Sequence, residues 1–573
     1  MKVKLPRRAI AAVASLGLAL VAVPTVAPAA NAADACGLGE TCTGALTGSL
    51  GDSAFQITMP PKFNGTVLLY SHGYRIAQPV PAQIASALRL DQAPYYSETT
   101  VPGIGPAYVG NGIAQVAPSA AAAANLLGQG YALAGAGYAN QGWAVAEGVE
   151  AGQNLITHIN SGAIEGVDEI IAWGDSMGGL ITQTLVENNP GKIAGSLPLC
   201  GAMEGPLQAF STAMTVLYTW QQLIDPTLTV ANYAPGQAGY AQAVGDLAKV
   251  FGTINAVASG EATVSAAGFP IGQANLLAGL MAGLPTKSGT YDGVSVNPAV
   301  GELGLGAALA GGYSPVSAGQ NSAAAMLQNV AAAAALGIMG RYELEQRVRT
   351  IGGFAPTDNA NFNNNVPVVY SDLLSQEQRF EFESTFAAAG PGVLDAMLNK
   401  LDASVGSDTA RFPANPAAVA IVEALPAATA TYNKPAVFIT TTYDPITPAG
   451  NQFEFFERMT DTKKAQRADD RGMLKAAQYF TVPLDPEYTQ FEPGAKGPSA
   501  TLSALATGGS GVGHCSFTTD QLVGAVGALA GLIDADTKKE VRAAKRVGYQ
   551  PAGVNRDRFF APPLLKQPLA TAN

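Results

Sequence analysis

Histidine, cysteine and charge are all scarce in this chain: three His and four Cys stand among 573 residues, and 13% of the residues are charged. Basic residues are the minority of that small set, 32 against 43 acidic ones, for a net charge of −11. A protein that binds nucleic acid needs a basic face, so that class is excluded. The chain has no H-E-x-x-H, no C-x-x-C and no G-x-x-x-x-G-K-[ST], so zinc and P-loop chemistry have no footing, and no metal or cofactor is expected. Residues 358–365 (D-N-A-N-F-N-N-N) offer oxygens but no EF-hand spacing, and read as an Asn-rich loop. No heptad or glycine period supports a coiled coil or fibre. What is abundant is apolar: 48% hydrophobic residues, with 65 Gly and 37 Pro, rules out disorder. The length suits a large single-core enzyme with an insertion, or two to four domains.

The N-terminus reads as an export signal. Lys2, Lys4, Arg7 and Arg8 precede an apolar run over residues 9–26, and Ala30-Asn31-Ala32 supplies small residues before a cut at Ala33. Residues 1–32 are therefore expected to be removed, by Sec or twin-arginine export, and the protein is expected to be secreted. The Ala-rich stretch 322–340, interrupted by Gln328 and Asn329, reads as a buried or lid helix rather than a membrane span, so no stable membrane anchor is expected. All four cysteines lie in the exported part, and an oxidising compartment allows two disulfides in any of three connectivities.

Apolar runs alternate with helical stretches through the first third. Residues 54–59 alternate like a half-buried strand, and Thr66–Ser71 is an almost continuous apolar run. Further strands are expected over residues 131–137, 168–173 and 193–199, with helices over 119–127, 143–159 and 177–189. Strands of this kind, separated by helices, indicate a mostly parallel sheet covered on both faces. Residues 205–430 break the rhythm with Ala- and Gly-rich helical pattern. The rhythm resumes at residues 435–442, followed by a helix near 451–459, a strand near 478–482 and a closing helix over 518–534. The organisation expected is a signal peptide (1–32), an α/β core (33–204 and 431–573) and a large, mainly helical insertion (205–430). Residues 460–475 are dense in charge and read as a solvated excursion, and 538–546 as an exposed basic helix face.

Chemistry concentrates at Gly174-Asp175-Ser176-Met177-Gly178-Gly179, between a strand and a helix. A serine on so sharp a turn needs neighbours without side chains, and the helix N-terminus aims N–H groups at the space where negative charge develops. Of the three histidines, His158 falls inside a helix and His72 at a strand end. His514, in a Gly-rich loop before the closing helix, is the candidate base. The candidate acid is Asp444, in Tyr443-Asp444-Pro445-Ile446-Thr447-Pro448 after the strand that begins near Pro435, with Asp485 as runner-up.

The order Ser176, Asp444, His514, each after a strand, resembles the α/β-hydrolase superfamily over about residues 48–203 and 432–534. The resemblance implies an α/β-hydrolase fold whose insertion is a lid. His72-Gly73-Tyr74 resembles that superfamily's His-Gly oxyanion loop, which implies that the Tyr74 and Met177 N–H groups form the oxyanion hole and that His72 has a packing role. Asp-Pro-x-Thr-Pro is similar to the secreted tripeptidyl-aminopeptidase-like branch. A Cys directly after the histidine is similar to tannases and feruloyl esterases, which keep its partner Cys beside the serine, where this chain has Asp175.

These readings lead to a secreted serine hydrolase of small-molecule or polymeric esters, with exopeptidase or acyltransferase chemistry on the same triad as alternatives. Tyr218, Trp220, Tyr233 and Tyr240 suit either an apolar substrate group or the core of the lid. Cys36 and Cys42, with five residues between them, are expected to pair locally. That leaves Cys200 and Cys515, whose bridge would tie the His514 loop to the sheet; two separate thiols is the alternative.

Overall fold

Eight strands build the central sheet: β1 (Thr41–Leu46), β2 (Ser53–Thr58), β3 (Thr66–Ser71), β4 (Ala132–Ala136), β5 (Glu169–Asp175), β6 (Gly195–Leu199), β7 (Val437–Thr441) and β8 (Gln478–Val482). Their spatial order is β1-β2-β4-β3-β5-β6-β7-β8. Only β2 runs against the others, pairing antiparallel with β1 and with β4, and every remaining pair is parallel. This is the mostly parallel sheet expected, in the α/β-hydrolase arrangement. The computed structural model describes residues 35–88, 90–258, 264–284, 290–291, 294–295, 318–385, 392–431, 434–441, 444–466, 478–482, 514–515, 517–535, 539–540 and 543. The proposed export signal and Asp485 lie outside the described residues.

Helices follow in chain order. The first part of the core carries α1 (Ala120–Gly128), α2 (Val145–His158) and α3 (Met177–Asn188). Between β6 and β7 come α4 (Gly205–Leu223), α5 (Gly236–Ala258), α6 (Ile271–Met281), α7 (Ala318–Gly352), α8 (Gln376–Thr385), α9 (Val393–Asp402) and α10 (Pro416–Glu423). The closing part carries α11 (Ala449–Gln466) and α12 (Thr519–Asp534). Every residue of β3, β4, β6 and β7 is buried, which is why these strands read as apolar runs. Alternate side chains of one strand serve opposite faces: Val67 and Leu69 pack with α2 and α3, Leu68 and Tyr70 with α1 and α12. Ser119 caps α1 through the Ala122 N–H, and Thr518 with Gln521 forms a capping box on α12.

Among the described residues, no strand of the central sheet falls between Leu199 and Val437. The helices there make their own core, and Tyr218, Trp220, Tyr233 and Tyr240 are buried in it. These aromatics thus belong to the core of the insertion and not to a substrate face. Most of residues 358–365 is also internal: Ala360 to Asn363 and Asn365 are buried. Buried Arg341 on α7 donates to Asn361 Oδ1 (3.1 Å), Asn363 Oδ1 (2.7 Å) and Phe210 O (2.8 Å), so the Asn-rich loop satisfies a guanidinium. None of the described helices is long and apolar enough to cross a membrane.

The structure corrects the expectations in three places. α11 continues through Gln466, so the first part of 460–475 is helix and not a loose excursion. β1 was not anticipated, because its residues are mostly exposed and few are apolar. A small antiparallel sheet of Val80–Pro81, Tyr96–Val101 and Gly105–Gly110 was also missed, and most of its positions are likewise only partly buried or exposed. Cys36 and Cys42 are bridged, closing the loop that leads into β1.

Candidate active site

Ser176 sits where β5 turns into α3, with φ 56° and ψ −124°, a backbone conformation costly for a residue with a side chain. Three bonds hold it there: the Ser176 N–H donates to Leu199 O (2.9 Å), and the Gly179 and Ala202 N–H groups donate to Ser176 O (3.0 Å each). The flanking glycines are required by space. A Cβ on Gly174 would stand 2.5 Å from Ser71 O, and one on Gly178 2.0 Å from the same oxygen. Strand and helix could not approach with any other residue at either position.

His514 and Asp444 are brought together as expected. His514 Nδ1 lies 3.0 Å from both Oδ1 and Oδ2 of Asp444, which is buried at the end of β7, while the imidazole keeps 29% of its exposure. Asp444 Oδ1 also accepts from the N–H groups of Ile446 and Thr447, each at 2.9 Å. Burial pulls the imidazole's pKa down, but the charge and hydrogen bond of Asp444 and the charge of Asp175 outweigh it, so the His514 pKa is raised. Asp175, partly buried, accepts from Tyr70 Oη (2.6 Å), and desolvation holds its carboxyl above the usual range.

Cys200 and Cys515 form a disulfide across 315 positions, joining the end of β6 to the residue after the histidine. Six non-glycine residues of the described chain have positive φ, and three of them, Ser176, Cys200 and Cys515, meet at this site. Thr447 links the same pieces: its hydroxyl lies 2.8 Å from Cys200 O, 3.1 Å from Asp444 Oδ2 and 3.3 Å from His514 Nδ1. Buried Gln452 on α11 accepts from the Gly201 N–H and donates to Ile439 O (3.3 Å), bracing the turn after β6. Neither residue was singled out from the sequence, although Thr447 stands in the Asp-Pro-x-Thr-Pro motif.

The His72-Gly73-Tyr74 loop packs directly on the serine, since a Cβ on Gly73 would stand 3.1 Å from Ser176 Cβ. His72 is buried, donates from Nδ1 to Gly73 O (2.8 Å) and stacks on Tyr138 with ring centroids 3.8 Å apart. Burial lowers its pKa, which fits the packing role expected. His158 lies away from this site, against Phe55. Tyr74 and Met177 line one pocket with Ser176, Trp143 and the Pro445–Ile446–Thr447 turn. The opposite wall comes from the insertion, with Phe210 and Ala213 of α4 and Ala333, Leu336 and Gly337 of α7. No carboxylate, ammonium or guanidinium is among the described residues that line this pocket. Sequence reasoning missed Trp143 and Phe210, whose signals are those of any core aromatic.

No family model matches the chain. No curated protein matches it either. Among solved structures it is similar to an arylesterase, at 17% identity and a TM-score of 0.18, over 30% of this chain and 48% of that one. It is also similar to an esterase from Aspergillus oryzae (10% identity, TM-score 0.27, 77% of this chain and 71% of that one). A third similarity is to feruloyl esterase B from Aspergillus oryzae (11% identity, TM-score 0.29, 77% of this chain and 73% of that one). The chain spans about half the length of the arylesterase, and none of these likenesses bears on a substrate.

Proposed function

We propose that this chain, an α/β-hydrolase by fold, is a secreted serine hydrolase that cleaves carboxylic esters through an acyl-enzyme. The observation that carries the reading is a strained serine turn that lines one pocket with the Pro445–Ile446–Thr447 turn, whose neighbouring Asp444 carboxylate holds the His514 imidazole. Ser176 Oγ attacks the ester carbonyl and gives its proton to His514 Nε2. Asp444 holds the Nδ1–H tautomer and stabilises the imidazolium. The Tyr74 and Met177 N–H groups take the oxyanion, helped by the N-terminus of α3. His514 then protonates the leaving alcohol, and water, deprotonated by the same imidazole, releases the acid.

The pocket lining favours esters over peptides. An exopeptidase must hold its substrate's α-amine with a carboxylate, and no carboxylate is among the described residues that line this pocket. The insertion is read as a lid because α4 and α7 supply one wall of the pocket. Secretion rests on the basic-apolar-small pattern of residues 1–32 and fits two disulfides.

The test is turnover of p-nitrophenyl esters of graded acyl length beside aminoacyl-anilides. Esters should be the better substrates, and Ser176→Ala should lose about 10⁴-fold or more in kcat together with fluorophosphonate labelling. A Ser176→Ala variant that keeps more than about a hundredth of wild-type kcat sinks the reading. Faster anilide turnover replaces esters by peptides as the substrate class.

A further inference from the structure

The loop that follows His72-Gly73 is held at two ends by different parts of the protein. On the core side, the Arg75 guanidinium donates to Asn111 O and Ile113 O, both at 2.8 Å, and the Ile76 N–H donates to Tyr96 Oη (3.1 Å). From the insertion come two side chains: Tyr240 of α5 donates to Pro79 O (2.7 Å), and Glu343 of α7 reaches the part nearer Tyr74. Tyr74 Oη donates to its Oε2, the Gln78 N–H donates to its Oε1 (2.9 Å), and the Ala77 N–H also donates to this carboxylate. Three donors within five residues of one loop thus converge on a single, partly buried carboxyl group. The fit is close: a Cβ on Gly142 would stand 2.9 Å from Oε2, and one on Gly340 would stand 3.2 Å from Tyr74 Oη.

We propose that Glu343 is a positioning residue that fixes the Tyr74 N–H against Ser176 from the helical insertion, and that it does so as a carboxylate. The inference rests on the reading of Tyr74 as an oxyanion donor. Tyr74 lines the serine's pocket, so its side-chain anchor sets where its N–H points. Only an ionised carboxylate accepts from all three donors. A protonated one must spend an oxygen on its own proton, and the Tyr74 bond then changes sense. Oxyanion donors act through placement, and a misplacement of about 1 Å costs on the order of 100-fold.

The ionisation falls in an accessible range. Burial pushes the Glu343 carboxyl up to about 8, against the pull of Tyr74 and the two backbone amides. The groups that face it are Tyr74 and Tyr96, both raised by burial (Tyr96 to about 12), Tyr342 on its own helix, also raised, and Arg75 beyond Tyr96. One turn along α7, Arg347 is paired with Glu147 at 3.0 Å.

The experiment is kcat and KM on an activated ester from pH 5 to 10 for wild type, Glu343→Gln, Tyr74→Phe and the double variant, with thermal unfolding of each. Tyr74→Phe keeps the backbone N–H and the carboxylate, so it tests the link even where Glu343→Gln folds poorly. The proposal expects each single variant to lose about 10- to 100-fold in kcat with little change in KM, and the double variant to lose no more than either. It also expects a second rise in wild-type kcat near pH 8 that Glu343→Gln lacks. Wild-type kcat in both single variants, fully additive losses, or a fall in thermal stability alone overturns it. Ser176→Ala, run alongside, separates the failures: if that variant is inert while Glu343→Gln is unimpaired, the positioning role fails and the serine reading stands.

Discussion

At Asp444 one carboxylate meets two demands. Its Oδ1 fixes the turn through Ile446 and Thr447, and both oxygens face His514 Nδ1. An amide in its place still accepts the two turn N–H groups but neither carries charge nor keeps the tautomer. Asp444→Asn should therefore remain folded and lose on the order of 10³–10⁴ in kcat. The same pairing predicts the pH profile. Asp444 and Asp175 raise the His514 pKa, and only the neutral imidazole accepts the serine proton. The acid limb of kcat/KM should thus lie above the ordinary imidazole value of about 6.5 and move down in Asp444→Asn. Stability runs the other way. A raised folded pKa means that the His514 contribution is complete below about pH 6.5 and is lost as pH rises through the folded value. Activity that falls only below pH 6 would contradict the electrostatics described.

Between elements, the site depends on where α4 and α7 cross the serine turn. Leu336 lines the pocket from α7 and is only partly buried, so Leu336→Ala should fold. It should shift preference toward longer acyl chains by roughly 10-fold in relative kcat/KM, the scale of a few methylene contacts, with little change on the acetate ester. An unchanged chain-length profile counts against the insertion as the acyl wall. The core strands and the serine turn were legible because each carries a local signal: Thr66–Ser71 is apolar since both faces are covered, and Gly174 and Gly178 are glycine since backbone oxygens leave no room. Asp444 and His514 were legible through their places after a strand and before a helix, together with the scarcity of histidine. What stayed hidden depends on contact across the chain. Trp143, Phe210 and Glu343 look in sequence like any core aromatic or helix carboxylate, and Thr447 acquires its role only where the ends of β6 and β7 meet. β1 and the small three-stranded sheet are mostly outside the core, so burial leaves no strong pattern in them.

Across the whole molecule, the Cys200–Cys515 bridge is the covalent tie between the two halves of the core. It closes a loop of 315 positions, for which chain entropy assigns on the order of 5 kcal/mol. Its cysteines flank the groups that do the chemistry, so mild reduction should lower kcat at reductant concentrations that leave the near-ultraviolet dichroism of the core intact. Loss of both signals together would show that the bridge supports the core and not the imidazole. The position of this tie also orders events in time. On the proposed reading, Ser176 and its turn emerge first during synthesis, the helices that wall the pocket follow, and His514 and the second cysteine come only after all of them. A nascent chain therefore holds a serine without a base. Competence to attack an ester then arises only when this last cross-link and its histidine are in place.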